Sequence, residues 1–322
     1  YGDWIAARRL LVGETKPVWA NIQTEFPESL LAQIATLARK TPPLPIEPQQ
    51  VKFLVYEAIS AGARGLRFGS RSRLDAPSPG TRLRSQTIQW ALAHVDQIEP
   101  WAVGGALTGS LANANDELEI AVIKTNRSRL LLVERPTHHE QYLAGDLPVQ
   151  PMAIKDSTAN ATELAYLIGD TGLQPLSKTR DISGALIRIN NCPSMMAIVL
   201  TQDPLVIKKL NSSYERVGKQ SILQMHVELT RQWLAIMQLI DKQMGRMGRS
   251  SSAGSTALNE AVNSFQNASR FIASNNALMA VPYLDRADER LAFVRRDMII
   301  EPLGKFQSKT STPFTVHSSL IP

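Results

Sequence analysis

Apolar residues recur along the first hundred residues with two alternating spacings. Lys16–Thr24 and Ala63–Ser70 are short apolar-rich runs, which indicate strands. Ser29–Arg39, Pro48–Gly62 and Thr81–Ile98 carry apolar residues at a spacing of three and four, which indicates helices. Since each strand is followed by a helix, the order is that of parallel βα units. Two such units cannot close a sheet alone, so we expect residues 1–108 to be the C-terminal portion of an α/β barrel, its last two βα units.

The pattern changes after residue 108. Leu118–Lys124 and Arg129–Glu134 are apolar runs on either side of a polar turn, and Gly184–Asn190 and Ser194–Thr201 repeat this arrangement. Paired runs joined by short turns are typical of antiparallel sheets. We therefore expect residues 109–210 to form a small antiparallel β-sandwich-like module.

Helical spacing returns in the last third of the chain. The stripe from Ile222 through Leu229 and Trp233 to Met244 has a period of 3.6 residues, and two further stripes follow on either side of Asn275. We expect residues 211–300 to form a helical hairpin or bundle whose stripes pack on each other. Residues 301–322 are polar and read as a linker to a missing C-terminal region.

Composition excludes few functions. The 322 residues are 43% hydrophobic and 20% charged, with a net charge of +6 and a pI near 9.5. The basic residues are dispersed, and the densest cluster, Arg64–Arg73, lacks the interleaved aromatic residues of single-strand binding surfaces, so nucleic acid is not the expected partner. Many arginines are next to an acidic residue in the sequence, as in Asp285–Arg290, which also argues against a nucleic-acid surface. No apolar run approaches the roughly 20 residues that cross a bilayer, so no membrane partner is expected.

No strong chemical motif is present. The chain has no phosphate loop, dinucleotide fingerprint or nucleophile elbow, so no cofactor is expected. The single cysteine, Cys192, has no Cys or His neighbour at metal spacing, and His138 and His139 would point to opposite faces of a strand. The sequence therefore predicts no metal site.

The first strand carries the most informative pattern. Asn21 and Gln23 share one face, which Glu25 continues just beyond the strand, while the other face is apolar. In a barrel the inward face meets substrate near the C-terminal end of each strand. We therefore expect Asn21, Gln23 and Glu25 to line the barrel mouth, with Arg67 from the second strand and Asp75 from the loop that follows it. The alternative is that Glu25 caps the next helix or pairs with an arginine at the surface.

Several of these segments resemble a known class of enzymes. KPVWANIQTE, a proline-rich loop, VYEAISAGARGLRFGS and a helix ending IEPWAVGG are similar to the last two βα units of clan-A-type glycoside hydrolase (β/α)₈ barrels with a following β-sandwich module. The layout also resembles that of large exported proteins of planctomycete-type bacteria. The resemblance covers about residues 1–210.

The resemblance implies a retaining glycoside hydrolase acting on or binding polysaccharide. The family's nucleophile falls on Glu25, with Asn21, Gln23, Arg67 and Asp75 as substrate-binding residues, whereas the acid/base residue belongs to a strand outside this chain. It also implies an exported location, in the periplasm, outside the cell or at its surface. The alternative is a non-catalytic carbohydrate-binding or structural surface protein. The sequence predicts no oligomeric state.

Overall fold

The structure is a computed structural model of the 322-residue chain. It describes residues 1–13, 16–37, 45–70, 72–111, 118–135, 150–160, 162–181, 184–192, 195–217, 219–246 and 251–303. His138 and His139 lie outside these residues, as does most of the predicted linker, 304–322.

The N-terminal part has the predicted alternation of strands and helices. The two strands are parallel neighbours, with Trp19 opposite Gly65 and Gln23 opposite Gly69. They form a two-stranded sheet within the described residues, so the barrel stays a prediction. The elements are α1 (Gly2–Val12), β1 (Trp19–Gln23), α2 (Glu28–Leu37), α3 (Pro48–Ser60), β2 (Gly65–Gly69) and α4 (Pro79–Gly104).

Helix α4 is longer than its sequence pattern predicted. It was expected to end near Ile98, but it continues through Pro100 to Gly104. The reason is a cation at its C-terminus: Arg64 donates to the carbonyl oxygens of Ala102 and Gly105, each at 2.5 Å. These bonds satisfy carbonyl groups that a helix end leaves open. Helix α1 was not predicted from the sequence.

The middle of the chain forms two antiparallel sheets. The larger has six strands in the order β3-β4-β5-β11-β7-β8, and the smaller has three in the order β6-β10-β9. The strands are β3 (Ala106–Ser110), β4 (Glu119–Lys124), β5 (Ser128–Glu134), β6 (Gln150–Asp156), β7 (Leu164–Gly169), β8 (Gly172–Pro175), β9 (Ser177–Asp181), β10 (Gly184–Cys192) and β11 (Met195–Thr201).

The six-stranded sheet is covered on both faces. Leu130 and Leu132 of β5 pack with the helices, whereas Leu131 and Val133 pack with Ile187 and other residues of the small sheet. Successive side chains of a strand point to opposite faces, so a strand with two covered faces is apolar at every position. This explains the uninterrupted apolar runs of β5 and β11, both of which are buried along their whole length.

The C-terminal helices pack against the rest of the molecule. Asn275, between α7 and α8, has φ of 58°, a left-handed conformation, and the Asn276 backbone N–H donates to the Phe271 carbonyl at 2.8 Å. This geometry ends α7, as the Asn pair predicted. The helices are α5 (Pro204–Val217), α6 (Lys219–Arg246), α7 (Ser252–Ala273) and α8 (Ala277–Leu303). The helical region thus begins at Pro204 rather than at residue 211.

One cluster of buried side chains joins all three parts. It runs from Ile5 in α1 through Leu130 in β5 to Val294 in α8. The predicted boundaries at residues 108 and 210 therefore cross a shared core, and the division into domains stays a prediction. None of the helices that the structure describes is both long enough and apolar enough to cross a membrane.

Candidate functional site

Glu25 lies two residues beyond the end of β1, with both carboxylate oxygens hydrogen-bonded. Oε1 accepts hydrogen bonds from the Arg84 guanidinium and the Ser72 hydroxyl, and Oε2 accepts one from the Ser72 backbone N–H at 3.1 Å. The side chains of Glu25 and Arg84 are only 17% and 10% exposed. Glu25 thus has an arginine partner, as the alternative prediction had it, but this ion pair is largely buried and does not lie at the surface.

This ion pair borders a cleft of about 690 Å³. The volume is within the range of roughly 300–1,000 Å³ that is typical of small-molecule sites. The charged side chains of its wall are Glu25, Glu28 and Arg84, and Thr24, Ser72 and Thr87 supply hydroxyl groups. The apolar part of the wall comes from α2, α3, α4 and the segments next to them: Phe26, Leu31, Ala32, Pro45, Ile46, Val51 and Ile88.

The other predicted site residues are not among the residues that line this cleft. Asn21 and Arg67 are opposite each other across the two-stranded sheet, and both are exposed. Gln23 is exposed too, and its amide donates to the backbone carbonyl of Glu25 at 2.9 Å. Asp75 is at the surface, 2.6 Å from Arg73. Asn21, Gln23 and Arg67 were expected to line the site together with Glu25, whereas the donors observed at its carboxylate include Arg84 and Ser72.

A second group of polar side chains is buried between the helices and the six-stranded sheet. Asp170, in the turn from β7 to β8, lies between two histidines: Oδ1 is 3.0 Å from His94 Nε2, and Oδ2 is 2.5 Å from His226 Nδ1. The two imidazole side chains are 2% and 3% exposed. Trp90, one turn before His94 on α4, contacts both rings.

Asp288 and Lys52 extend this buried group. Asp288 Oδ2 is 2.8 Å from His226 Nε2 and accepts a hydrogen bond from Gln49 at 2.9 Å, and Oδ1 accepts one from Thr230. Lys52 Nζ is 3.3 Å from His94 Nε2 and 4.5 Å from the centre of the Trp90 ring. We call Lys52, His94, Asp170, His226 and Asp288 the buried ionic cluster.

Charges within the buried ionic cluster shift the titration of its members. Burial alone would raise the pKa of Asp170, but the charge of His226 and the hydrogen bonds from both histidines hold it well below its usual range. Burial alone would lower the pKa of His226, but Asp170 and Asp288 raise it well above its usual range. Burial and the charge of Lys52 lower the pKa of His94 to about 4. At neutral pH, His226 is therefore charged and His94 is neutral.

Three of the four histidine ring nitrogens in the buried ionic cluster face charged side chains and not a nucleophile. Both nitrogens of His226 face carboxylates, and Nε2 of His94 faces Asp170 and Lys52. A histidine that activates a serine or cysteine needs a ring nitrogen directed at that nucleophile. Among the described residues, no group of three or more His, Cys, Asp or Glu side chains has metal-binding geometry.

Sequence reasoning missed this cluster. The run Asp285–Arg290 was interpreted only as arginines next to acidic residues, but Asp288 points inward to His226, and burial raises the pKa of Asp285 to about 7. The spacing of Asp288 in the sequence could have revealed that it is buried. It follows Leu284 by four residues and precedes Leu291 by three, and both leucines are fully buried. A charged residue on an apolar stripe has to find a buried partner.

The chain matches no known protein-family model and no curated protein. Solved structures with weak similarity include the Thermotoga maritima alpha-L-fucosynthase (10% identity, TM-score 0.35, 57% of this chain and 38% of that chain covered). They also include the Thermotoga maritima alpha-fucosidase in complex with a mechanism based inhibitor (11% identity, TM-score 0.36, 59% and 41% covered). This chain thus spans about two fifths of the length of these proteins. Similarity at these TM-scores carries no argument about the fold or the function of this chain.

Proposed function

We propose that this chain binds a glycan in the cleft beside Glu25. The observation that carries the proposal is the combination of polar and apolar groups around that cleft. Glu25, Ser72 and Arg84 offer acceptors and donors for sugar hydroxyl groups, and Phe26 with its apolar neighbours offers contact for the C–H faces of sugar rings. Binding sites of this kind are mostly apolar, with a few polar groups that fix orientation.

The exposed face of the two-stranded sheet adds contacts outside the cleft in this proposal. Trp19 is 68% exposed and its ring covers Gly65, where an added Cβ would lie 2.5 Å from the indole. A flat, exposed indole is a surface on which a sugar ring can stack. Asn21, Gln23 and Arg67 share this sheet and would hydrogen-bond to a polysaccharide that extends beyond the cleft, and Asp75 would do so from the following loop.

Titration calorimetry of the full chain against a panel of soluble polysaccharides tests the binding. We expect Glu25→Gln and Ser72→Ala to weaken binding at least tenfold, because each removes a polar group at the cleft. The matched control is Glu99→Gln, which makes the same change at an exposed position on α4 and should leave binding unchanged. If no glycan binds, or if all three variants bind like the parent, the proposal is wrong.

Glycoside hydrolysis is a second candidate, because a second carboxylate, Glu28, lines the same cleft. Enzymatic cleavage uses two carboxyl groups, one that protonates the leaving oxygen and one that attacks the sugar or activates water. In this candidate Glu25 is the nucleophile, and its bonds from Arg84 and Ser72 hold the carboxylate in position. Release of reducing ends by the parent and its loss in Glu25→Gln would support hydrolysis. Binding without release would leave glycan recognition as the function.

A further inference from the structure

A small cavity lies next to the buried ionic cluster, away from the Glu25 cleft. It measures about 20 Å³ and lies between helices α3, α4, α6 and α8. The polar and aromatic side chains around it are Glu47, Gln49, Trp90, His226, Thr230, Trp233 and Asp288.

Two of these side chains have a polar atom without a hydrogen-bond partner. Glu47 and Trp90 are 3% and 1% exposed, and neither Glu47 Oε1 nor Trp90 Nε1 makes a hydrogen bond. Buried polar atoms in folded proteins are nearly always hydrogen-bonded, to protein or to ordered water. One acceptor and one donor on side chains that line the same cavity therefore point to a guest that can both donate and accept.

Size limits this guest to a molecule such as water. A volume of about 10–15 Å³ is enough for one water molecule, and 20 Å³ leaves no room for a sugar ring. The polar atoms in its mostly apolar wall also distinguish this cavity from wholly apolar cavities, which stay dry.

Charge favours a neutral guest over a cation. Lys52 Nζ already lies 4.5 Å from the centre of the Trp90 ring, and the Arg295 guanidinium lies 5.8 Å from that of Trp233. Arg295 Nε is also 3.6 Å from Glu47 Oε1. Since both tryptophan rings and the Glu47 carboxylate already have a cation beside them, a further cation would be repelled.

We infer that this cavity is a binding site for a single ordered water molecule, which accepts a hydrogen bond from Trp90 Nε1 and donates one to Glu47 Oε1. The water joins the residue before α3 to the middle of α4. The inference is independent of the glycan proposal, because it uses none of the residues of the Glu25 cleft.

High-resolution crystal structures of the full chain test the inference. The parent should show one density peak within hydrogen-bond distance of both Glu47 Oε1 and Trp90 Nε1. Trp90→Phe keeps an aromatic ring but removes the N–H, and the peak should weaken or vanish. Trp101→Phe is the matched control, since Trp101 is equally buried but its Nε1 already donates to Ser128 at 3.0 Å, and the peak should persist there.

Soaking crystals of the parent protein in xenon and in a rubidium salt tests two other possible occupants of the cavity, an apolar atom and a cation. Xenon in the cavity would show that it is apolar and dry, and a rubidium anomalous peak would show that it is a cation site. Either result, or no peak in the parent, would overturn the inference. An unchanged peak in Trp90→Phe would show that the water does not depend on the indole N–H, and would also overturn it.

Discussion

Asp170 Oδ2 lies 2.5 Å from His226 Nδ1, and this contact ties the turn between β7 and β8 to helix α6. The same carboxylate reaches His94 of α4 with its other oxygen. One acidic side chain thus connects the six-stranded sheet to two helices, so its substitution should destabilise the packing of the sheet on both helices.

Asp170→Asn should lower the free energy of unfolding by about 3–5 kcal/mol at pH 7. Removing one partner of a buried ion pair is costly, because the other charge, here on His226, then keeps only Asp288 as its carboxylate partner. Urea denaturation measures the loss. The control is Asp96→Asn, which breaks the partly exposed pair with Arg216 and should cost only about 0–1 kcal/mol. Equal losses would mean that the buried ionic cluster contributes no more than a surface pair.

His94 should make the protein less stable in acid. Its pKa is lowered to about 4 in the folded state, from 6.5 as the ordinary value. Between these pH values the unfolded chain binds more protons, so stability increases as pH rises from about 4 to 6.5. In His94→Gln this contribution disappears, so the stability difference between parent and variant should change across this window. Parallel stability curves from pH 4 to 7 would contradict the assignment.

Glu134 should have the opposite pH dependence. Burial raises its pKa from 4.5 to about 8, against the opposing effect of a hydrogen bond from Ser60 at 2.5 Å. The folded protein therefore binds the extra proton, and stability falls as pH rises from about 4.5 to 8. Glu134→Gln keeps the shape without the charge. It should be more stable than the parent at pH 8 by about 1 kcal/mol or more, since one pKa unit is worth about 1.4 kcal/mol. The gain should shrink towards pH 5, and a constant difference would contradict this prediction.

Trp233→Ala should destabilise the protein by about 3–5 kcal/mol, because the indole is 5% exposed and its removal leaves a void. Thermal and urea denaturation measure the change. Leu239→Ala on the same helix is the control: Leu239 is 65% exposed, and its loss should alter stability by no more than about 0.5 kcal/mol. A small effect at Trp233 would show that its ring faces solvent.

Elements with a clear apolar period could be predicted from the sequence. The alternation of Ala20 and Ile22 with exposed residues in β1 has a period of two, and its observed burial follows the same period. The Asn pair at 275–276 ended α7 where it was expected, because asparagine tolerates a left-handed backbone better than most residues. These features depend on local chemistry, which a short stretch of sequence contains.

The buried ionic cluster could not be predicted in the same way. Asp170 and His226 are 56 residues apart in the sequence, and His226 and Asp288 are 62 apart. Their contact depends on how three elements pack, which no spacing rule encodes. The extension of α4 past Pro100 had the same cause, since it depends on Arg64 from a neighbouring loop.

The position of β11 in the six-stranded sheet has a consequence for synthesis on the ribosome. β11 lies between β5 and β7, although among the described strands it is the last to be made. Until Met195–Thr201 leaves the exit tunnel, β5 has a free edge and β7 has no link to it. Unpaired apolar edges of this kind are prone to aggregation. Nascent chains that stop before Met195 should therefore depend on chaperones, and chains that extend beyond Thr201 should be released from that need.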